Sequence, residues 1–299
     1  VFIVQKKSVR DVPPISLEAL KVQVPAVIQT GDYVEALALL KSAFPDPMQS
    51  GELGIYMGPL LIQVENQTVM GRRLLNQMLG ASQGDTRLEL TAIGLADLIE
   101  GQLNTARQNF EKALTLDKNY VPAIVNLAAV LLQKGELATA RTAVLNSMAI
   151  NSAEGEAQLL LAEIAILQHQ KTASVDGINQ ALTAITNFRS QQMDYEPEAL
   201  LYISYLEWLK SHRTKVNVDR INAFLELDPQ ISTDHRHNVF IYKGRVQWPV
   251  LTRYCEQLAD KMDGDPRGAA FRAVCYSKEG RKKDARTWIE KAVHQSPQD

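Results

Sequence analysis

The sequence predicts an all-α protein: a superhelical solenoid of about eight helix-turn-helix units over residues 16–297, behind a leader of residues 1–15. Three observations carry this. A glycine recurs five residues ahead of an alanine, copies follow one another at close to 34 residues, and the flanking apolar residues keep helical spacing. The 299 residues would allow two compact domains or one long array, and the period selects the array. Thirty-two Lys and Arg against 34 Asp and Glu give a net charge of −2, so no global basic field attracts nucleic acid or anionic lipid, and no nucleic-acid partner is expected.

The best pair of copies is IGLADLIEGQLNTARQNFEKALTLD, from Ile93 to Asp117, and LAAVLLQKGELATARTAVLNSMAIN, from Leu127 to Asn151, offset by 34. Gly101 precedes Ala106 as Gly135 precedes Ala140, and the same step links Gly31 to Ala36 and Gly280 to Ala285. Followed along the chain, the alanine position falls on Ala36, Gly71, Ala106, Ala140, Ser174, Asn217, Leu251 and Ala285, at intervals of 35, 35, 34, 34, 43, 34 and 34. Ahead of the glycine, Leu90, Ile93, Gly94, Asp97 and Leu98 share one helical face; after it, Ala106, Phe110, Ala113 and Leu114 share another. The glycine lets the chain double back without a Cβ penalty. Pro229 and Pro297 sit where a second helix should stop.

This pattern resembles the tetratricopeptide repeat, a 34-residue helix-turn-helix unit. The copies at 90–119, 124–152 and 269–297 are the clearest, and 16–48 is also good. Those at 51–83, 155–187, 198–229 and 232–263 rest mainly on the interval, and the opening Trp of the consensus is missing throughout. The long interval of 43 is read as an irregular joint near 188–197. It lengthens the helix of 176–187 and adds the segment Arg189 to Glu198, with a new helix starting at Pro197 and a hinge as the alternative.

In the tetratricopeptide family the first helix of each pair lines a concave groove. Carried onto this chain, the resemblance assigns Leu95, Leu98, Asn126, Ala129, Leu132, Leu160, Glu163, Tyr202, Leu206, Phe240, Phe271 and Lys278 to partner binding. These are mostly apolar, and a continuous exposed apolar strip marks a binding surface. Asn126 is the candidate for fixing a ligand's backbone, because an amide both donates and accepts. The Lys and Arg of the carboxylate-clamp branch are absent around it, where Thr91, Leu95, Leu160 and Glu163 stand instead. Charge is uneven: residues 85–165 carry 6 basic and 10 acidic side chains, residues 212–299 carry 16 and 12. The basic run Gly280 to Arg286 would orient an acidic partner segment, or simply solvate the last unit.

Catalytic signatures are missing. There is no Gly-rich phosphate loop, no CxxC, HExxH or GxSxG, and His235 and His237 alternate in a way that does not share a metal on a helix. No cofactor and no enzyme activity are expected. Cys255 and Cys275 lie within helical patterns and read as buried free thiols, a bridge between neighbouring helices being the alternative. The expected function is a non-catalytic scaffold or adaptor that holds a peptide or helical segment of a partner protein in the groove. The alternatives are self-association, with the leader filling a neighbour's groove, or a regulatory region of a membrane-anchored protein. Val1 to Val4 followed by Lys6, Lys7 and Arg10 would suit the flank of an upstream anchor. Without a signal peptide core or disulfide framework, the expected compartment is cytoplasmic.

Overall fold

The computed structural model describes residues 16–30, 32–81, 86–152, 155–173, 175–189, 196–226, 241, 248–262 and 264–295. The leader, Phe240, both histidines of the DHRHN run and the first-helix region of the 232–263 unit lie outside the described residues. Among the described residues there are fifteen α-helices and no strand. The hairpins are α1 (Leu17–Thr30) with α2 (Tyr33–Ala43), α3 (Gly54–Glu65) with α4 (Thr68–Ala81), α5 (Thr86–Ile99) with α6 (Leu103–Leu116), and α7 (Val121–Gln133) with α8 (Leu137–Ile150). They continue as α9 (Gly155–Thr172) with α10 (Asp176–Arg189) and α11 (Glu196–Lys210) with α12 (Val218–Glu226). Then come α13 (Trp248–Asp260) and the last hairpin, α14 (Pro266–Lys278) with α15 (Lys282–Gln295). No helix among them is long and apolar enough to cross a membrane.

The glycine of the repeat does what its position requires. Gly101 and Gly135 both take φ +76°, and Gly280 takes φ +84°. Each sits in the same pair of hydrogen bonds: Gly101 N–H to Leu98 O and Gln102 N–H to Asp97 O, then Gly135 to Leu132 and Glu136 to Leu131, then Gly280 to Ser277 and Arg281 to Tyr276. These bonds satisfy carbonyls that a helix end would otherwise leave open. A second glycine serves close packing. A Cβ on Gly94 would lie 2.7 Å from the Phe110 ring, so its absence lets α5 and α6 close on that ring.

The joint is distributed differently from the sequence expectation. Second helices start at Tyr33, Thr68, Leu103, Leu137, Asp176, Val218, Trp248 and Lys282, which are 35, 35, 34, 39, 42, 30 and 34 residues apart. The excess therefore starts before residue 174. It comes from α9, which runs for 18 residues, and from the connection Ser211 to Asn217; α10 keeps the 14 residues of α6 and α8. The extra turn of α9 is its C-terminal end, Gln168 to Thr172, which is polar and half-buried or exposed beyond the buried run that ends at Ile166. The new helix does begin at the proline, with Pro197 as the second residue of α11.

Two hydrophobic clusters meet inside α5: one reaches from Leu20 to Ala96, the other from Leu98 to Cys275. A polar joint stands at their border. The buried Asp97 carboxylate accepts from Arg72 Nη2 at 2.6 Å and from Asn109 Nδ2 at 2.8 Å, tying α4, α5 and α6 together.

Candidate functional site: the inner row of first helices

The first helices α5, α7, α9 and α11 stand side by side, and each is touched by four neighbours. α5 meets α3, α4, α6 and α7; α7 meets α5, α6, α8 and α9; α9 meets α7, α8, α10 and α11; α11 meets α9, α10, α12 and α13. The consequence is burial around the whole circumference rather than along one stripe. Every residue from Gly155 to Ile166 in α9 is buried, as are Ala199 to Leu206 in α11.

This corrects the expectation of an exposed apolar strip. Leu95, Leu98, Asn126, Ala129, Leu132, Leu160, Glu163, Tyr202, Leu206 and Phe271 are all buried, none more than 7% exposed. The structure does bring them together along consecutive inner helices, but as packed core. Phe271 sits edge-on to Phe224 at 5.6 Å between ring centroids. Asn126 is fully buried and engaged within the chain, so it is not a free amide awaiting a ligand. The physical reason is that a helix apolar on all sides seeks cover on all sides. Phe240 and the side chain of Lys278 lie outside the described residues.

What the row holds besides apolar groups was missed in part. Glu89, Thr91 and Asp97 on α5, Asn126 on α7, Glu156, Gln158 and Glu163 on α9, and Ser204 on α11 are buried polar or charged residues. Gln158 donates to Ser152 O at 3.1 Å, while its Oε1 and the Thr91 hydroxyl have no hydrogen-bond partner among the described residues. The signal was present in the sequence: polar residues interrupting apolar runs such as QLLLAEIAIL.

At its far end the row joins an aromatic cluster. Tyr205 of α11 stacks on Tyr254 of α13 with centroids 3.9 Å apart, and Trp208 tilts against Tyr205 at 5.4 Å. Gln170 of α9 donates to the Tyr254 hydroxyl at 3.2 Å, and Tyr205 donates to Gln257 at 3.3 Å. Burial, reinforced by Tyr205 and the Glu163 carboxylate, holds the Tyr254 phenol well above its ordinary range. Nearby, Cys255 of α13 and Cys275 of α14 form a disulfide, with Cα atoms 6.5 Å apart. The reading as free thiols is thereby corrected. Two helices packed side by side bring residues 20 apart within bridging distance, which sequence spacing does not reveal.

A cavity of about 200 Å³ lies elsewhere, between α13, α14 and α15. Arg272 and Lys291 place their cations 4.2 and 4.4 Å from the centroid of the Trp288 ring in its wall. Arg272 is also bonded to Asp260, so its charge is already met.

A family model for the tetratricopeptide repeat matches residues 97–164, from the end of α5 into α9. That stretch carries the tetratricopeptide pattern its period foretold, and the fold around it is an all-α array of helical hairpins. Among solved structures it is similar to human IFIT1, as a dimer with m7Gppp-AAAA, at 12% identity and a TM-score of 0.59, covering 93% of this chain and 72% of that one. It is also similar to human IFIT1 with PPP-AAAA, at 11% identity and a TM-score of 0.59, over 93% and 73%. A tetratricopeptide repeat protein from Parabacteroides merdae ATCC 43184 is 12% identical over 94% and 93% of the two chains, with a TM-score of 0.46. At such identities the likeness is one of fold. No curated protein matches the sequence.

Proposed function

We propose that the chain is a non-catalytic scaffold that holds a peptide or helical segment of a partner protein along the inner row of first helices. The observation that carries this is the polar content of that row. Gln158 Oε1 and the Thr91 hydroxyl are buried there without a hydrogen-bond partner among the described residues, which costs free energy until a ligand matches them, while Glu89, Asn126, Glu156 and Glu163 are already engaged within the chain. An amide oxygen and a hydroxyl suit the N–H and C=O groups of a peptide backbone. Because the row is closed here, the partner enters by widening the array. A solenoid permits this where contacts run chiefly between adjacent hairpins, as they do from α5 to α9. Leu98, Leu132, Leu160, Tyr202 and Leu206 then form the floor of the opened groove.

The human IFIT1 structures hold oligonucleotides, but no Lys or Arg is buried in this row among the described residues, so it offers phosphate no cation. The Cys255–Cys275 bond favours an oxidising compartment over the cytoplasmic one expected from sequence.

The test is affinity capture from an extract of the source organism, using the full chain and its Asn126→Ala and Glu163→Gln variants, with circular dichroism to check helix content. The expected result is a partner recovered by the wild type and lost by both folded variants. Equal recovery by all three would count against the inner row.

A further inference from the structure

We propose that Asn66, on the turn between α3 and α4, is a glycosylation site whose amide nitrogen carries an oligosaccharide. Asn66, Gln67 and Thr68 form the one Asn-x-Ser/Thr triplet in the 299 residues. Such a triplet accepts a glycan where it lies on the surface of a chain that passes through a sugar-transferring compartment. The turn meets the first condition and the disulfide supports the second.

Asn66 follows the last residue of α3 and stands two before the first residue of α4. It takes φ 56° and ψ 25°, the left-handed conformation that Gly101 holds in the hairpin of α5 and α6. Its N–H and that of Gln67 both reach Leu61 O, so backbone bonds alone close the turn. Asn66 and Gln67 are exposed. The neighbouring side chains satisfy one another, Glu65 accepting from Lys41 Nζ at 2.8 Å and from Gln67 Nε2 at 2.7 Å. The Asn66 amide takes no part in this and bonds to no described residue. Other asparagines are engaged: Asn104 accepts from Lys134, Asn109 donates to Asp97 and Asn217 donates to Glu207. The left-handed turn accounts for an asparagine at 66. It does not call for a hydroxyl two residues on, and the hydroxyl of Thr68 also bonds to no described residue.

The compartment is argued from the Cys255–Cys275 bond, since disulfides persist in the secretory lumen and the periplasm. The donor class is an oligosaccharide linked to a lipid diphosphate. The Asn66 amide nitrogen attacks the anomeric carbon of the sugar. A C–N bond forms, the C–O bond to phosphate breaks, the lipid diphosphate leaves and the amide gives up one proton; nothing is oxidised or reduced. The glycan then projects from an exposed turn and displaces no packed group. This site is independent of the inner row and shares with the reading above only the compartment.

Tandem mass spectrometry of the full chain from its source organism, alkylated without prior reduction, tests this. The peptide bearing Asn66 should carry an added mass that fragments into sugar units and localises to that residue. In the same organism Thr68→Ala, which leaves Asn66 in place, should lose that mass, and Thr68→Ser should keep it. A bare Asn66 in the wild type, or a mass that persists in Thr68→Ala, would overturn the proposal. The same digest reads the cysteines: a bare Asn66 beside a paired Cys255 and Cys275 strikes the site alone, and a bare Asn66 beside free thiols strikes the compartment with it.

Discussion

The stretch α5–α8 and the stretch α9–α12 solve one problem by different means. In the first, hairpins turn through Gly101 and Gly135 at φ +76°, and the same backbone hydrogen bonds recur 34 residues apart. In the second, the left-handed positions fall on Ala173 at φ 54°, His212 at φ 54° and Arg213 at φ 64°. An ordinary residue there costs roughly 1 kcal/mol more than glycine. The offset comes from side chains of that region: Tyr205 stacked on Tyr254 of the following α13, the Arg213 cation 5.6 Å from the Trp208 ring centroid, and Glu207 accepting from Arg220 at 2.8 and 2.9 Å and from Asn217 at 3.0 Å. The regular part is held by a repeating local rule, and the irregular part by contacts that occur once.

The largest test of that contrast lies at the disulfide. Reducing Cys255–Cys275, or replacing both with Ser, should lower stability by roughly 3 kcal/mol for a loop of this length. Hydrogen exchange should place the loss in α13–α15, since hairpins distant from the change keep their own neighbours. Equal loss of protection in α5–α8 would break the division into two regions. Next comes Asp97→Ala, which strips Arg72 and Asn109 of a shared buried acceptor. It should cost about 2 kcal/mol in chemical denaturation, and loosen the seam between the two hydrophobic clusters.

A smaller effect follows from the tyrosines. Burial raises the phenols of Tyr254 and Tyr205, so the folded chain favours their protonated forms. That contribution is fully present below the unfolded phenol's pKa of about 10 and is lost as pH rises above it. Circular dichroism in alkali should therefore show the wild type melting earlier as pH climbs past about 10, with Tyr254→Phe less sensitive. Identical pH dependence would remove the cluster from the account. Smallest is the pair Gly101→Ala and Ala173→Gly. A Cβ at Gly101 meets nothing within 4 Å, so only its φ is penalised. The first should cost about 1 kcal/mol and the second should gain up to that much. Opposite signs in thermal melts would sharpen the comparison.

The regular part was legible because glycine five residues ahead of alanine is a backbone requirement written in residue types. The irregular part was not. The extra turn of α9, Gln168 to Thr172, is polar and leaves no apolar mark, and the helix ahead of it, buried on all sides, has no period to count. For the same reason Leu132, Leu160 and Leu206 read equally well as groove or core. The sequence places them on inner helices, and only four packed neighbours per helix reveal that the face is closed. The Cys255–Cys275 bond depends on how α13 and α14 sit side by side, a tertiary fact. Glu89 and Gln158 could have been noticed as polar residues within buried runs, but their burial comes from neighbours far along the chain.

The most direct measurement is the thermal unfolding of Leu132→Glu and Leu206→Glu. With the inner row as packed core, both variants should lose cooperative melting and native helix content. Wild-type melting curves, accompanied only by loss of a bound partner, would show the row to be an open groove and contradict the closed stack.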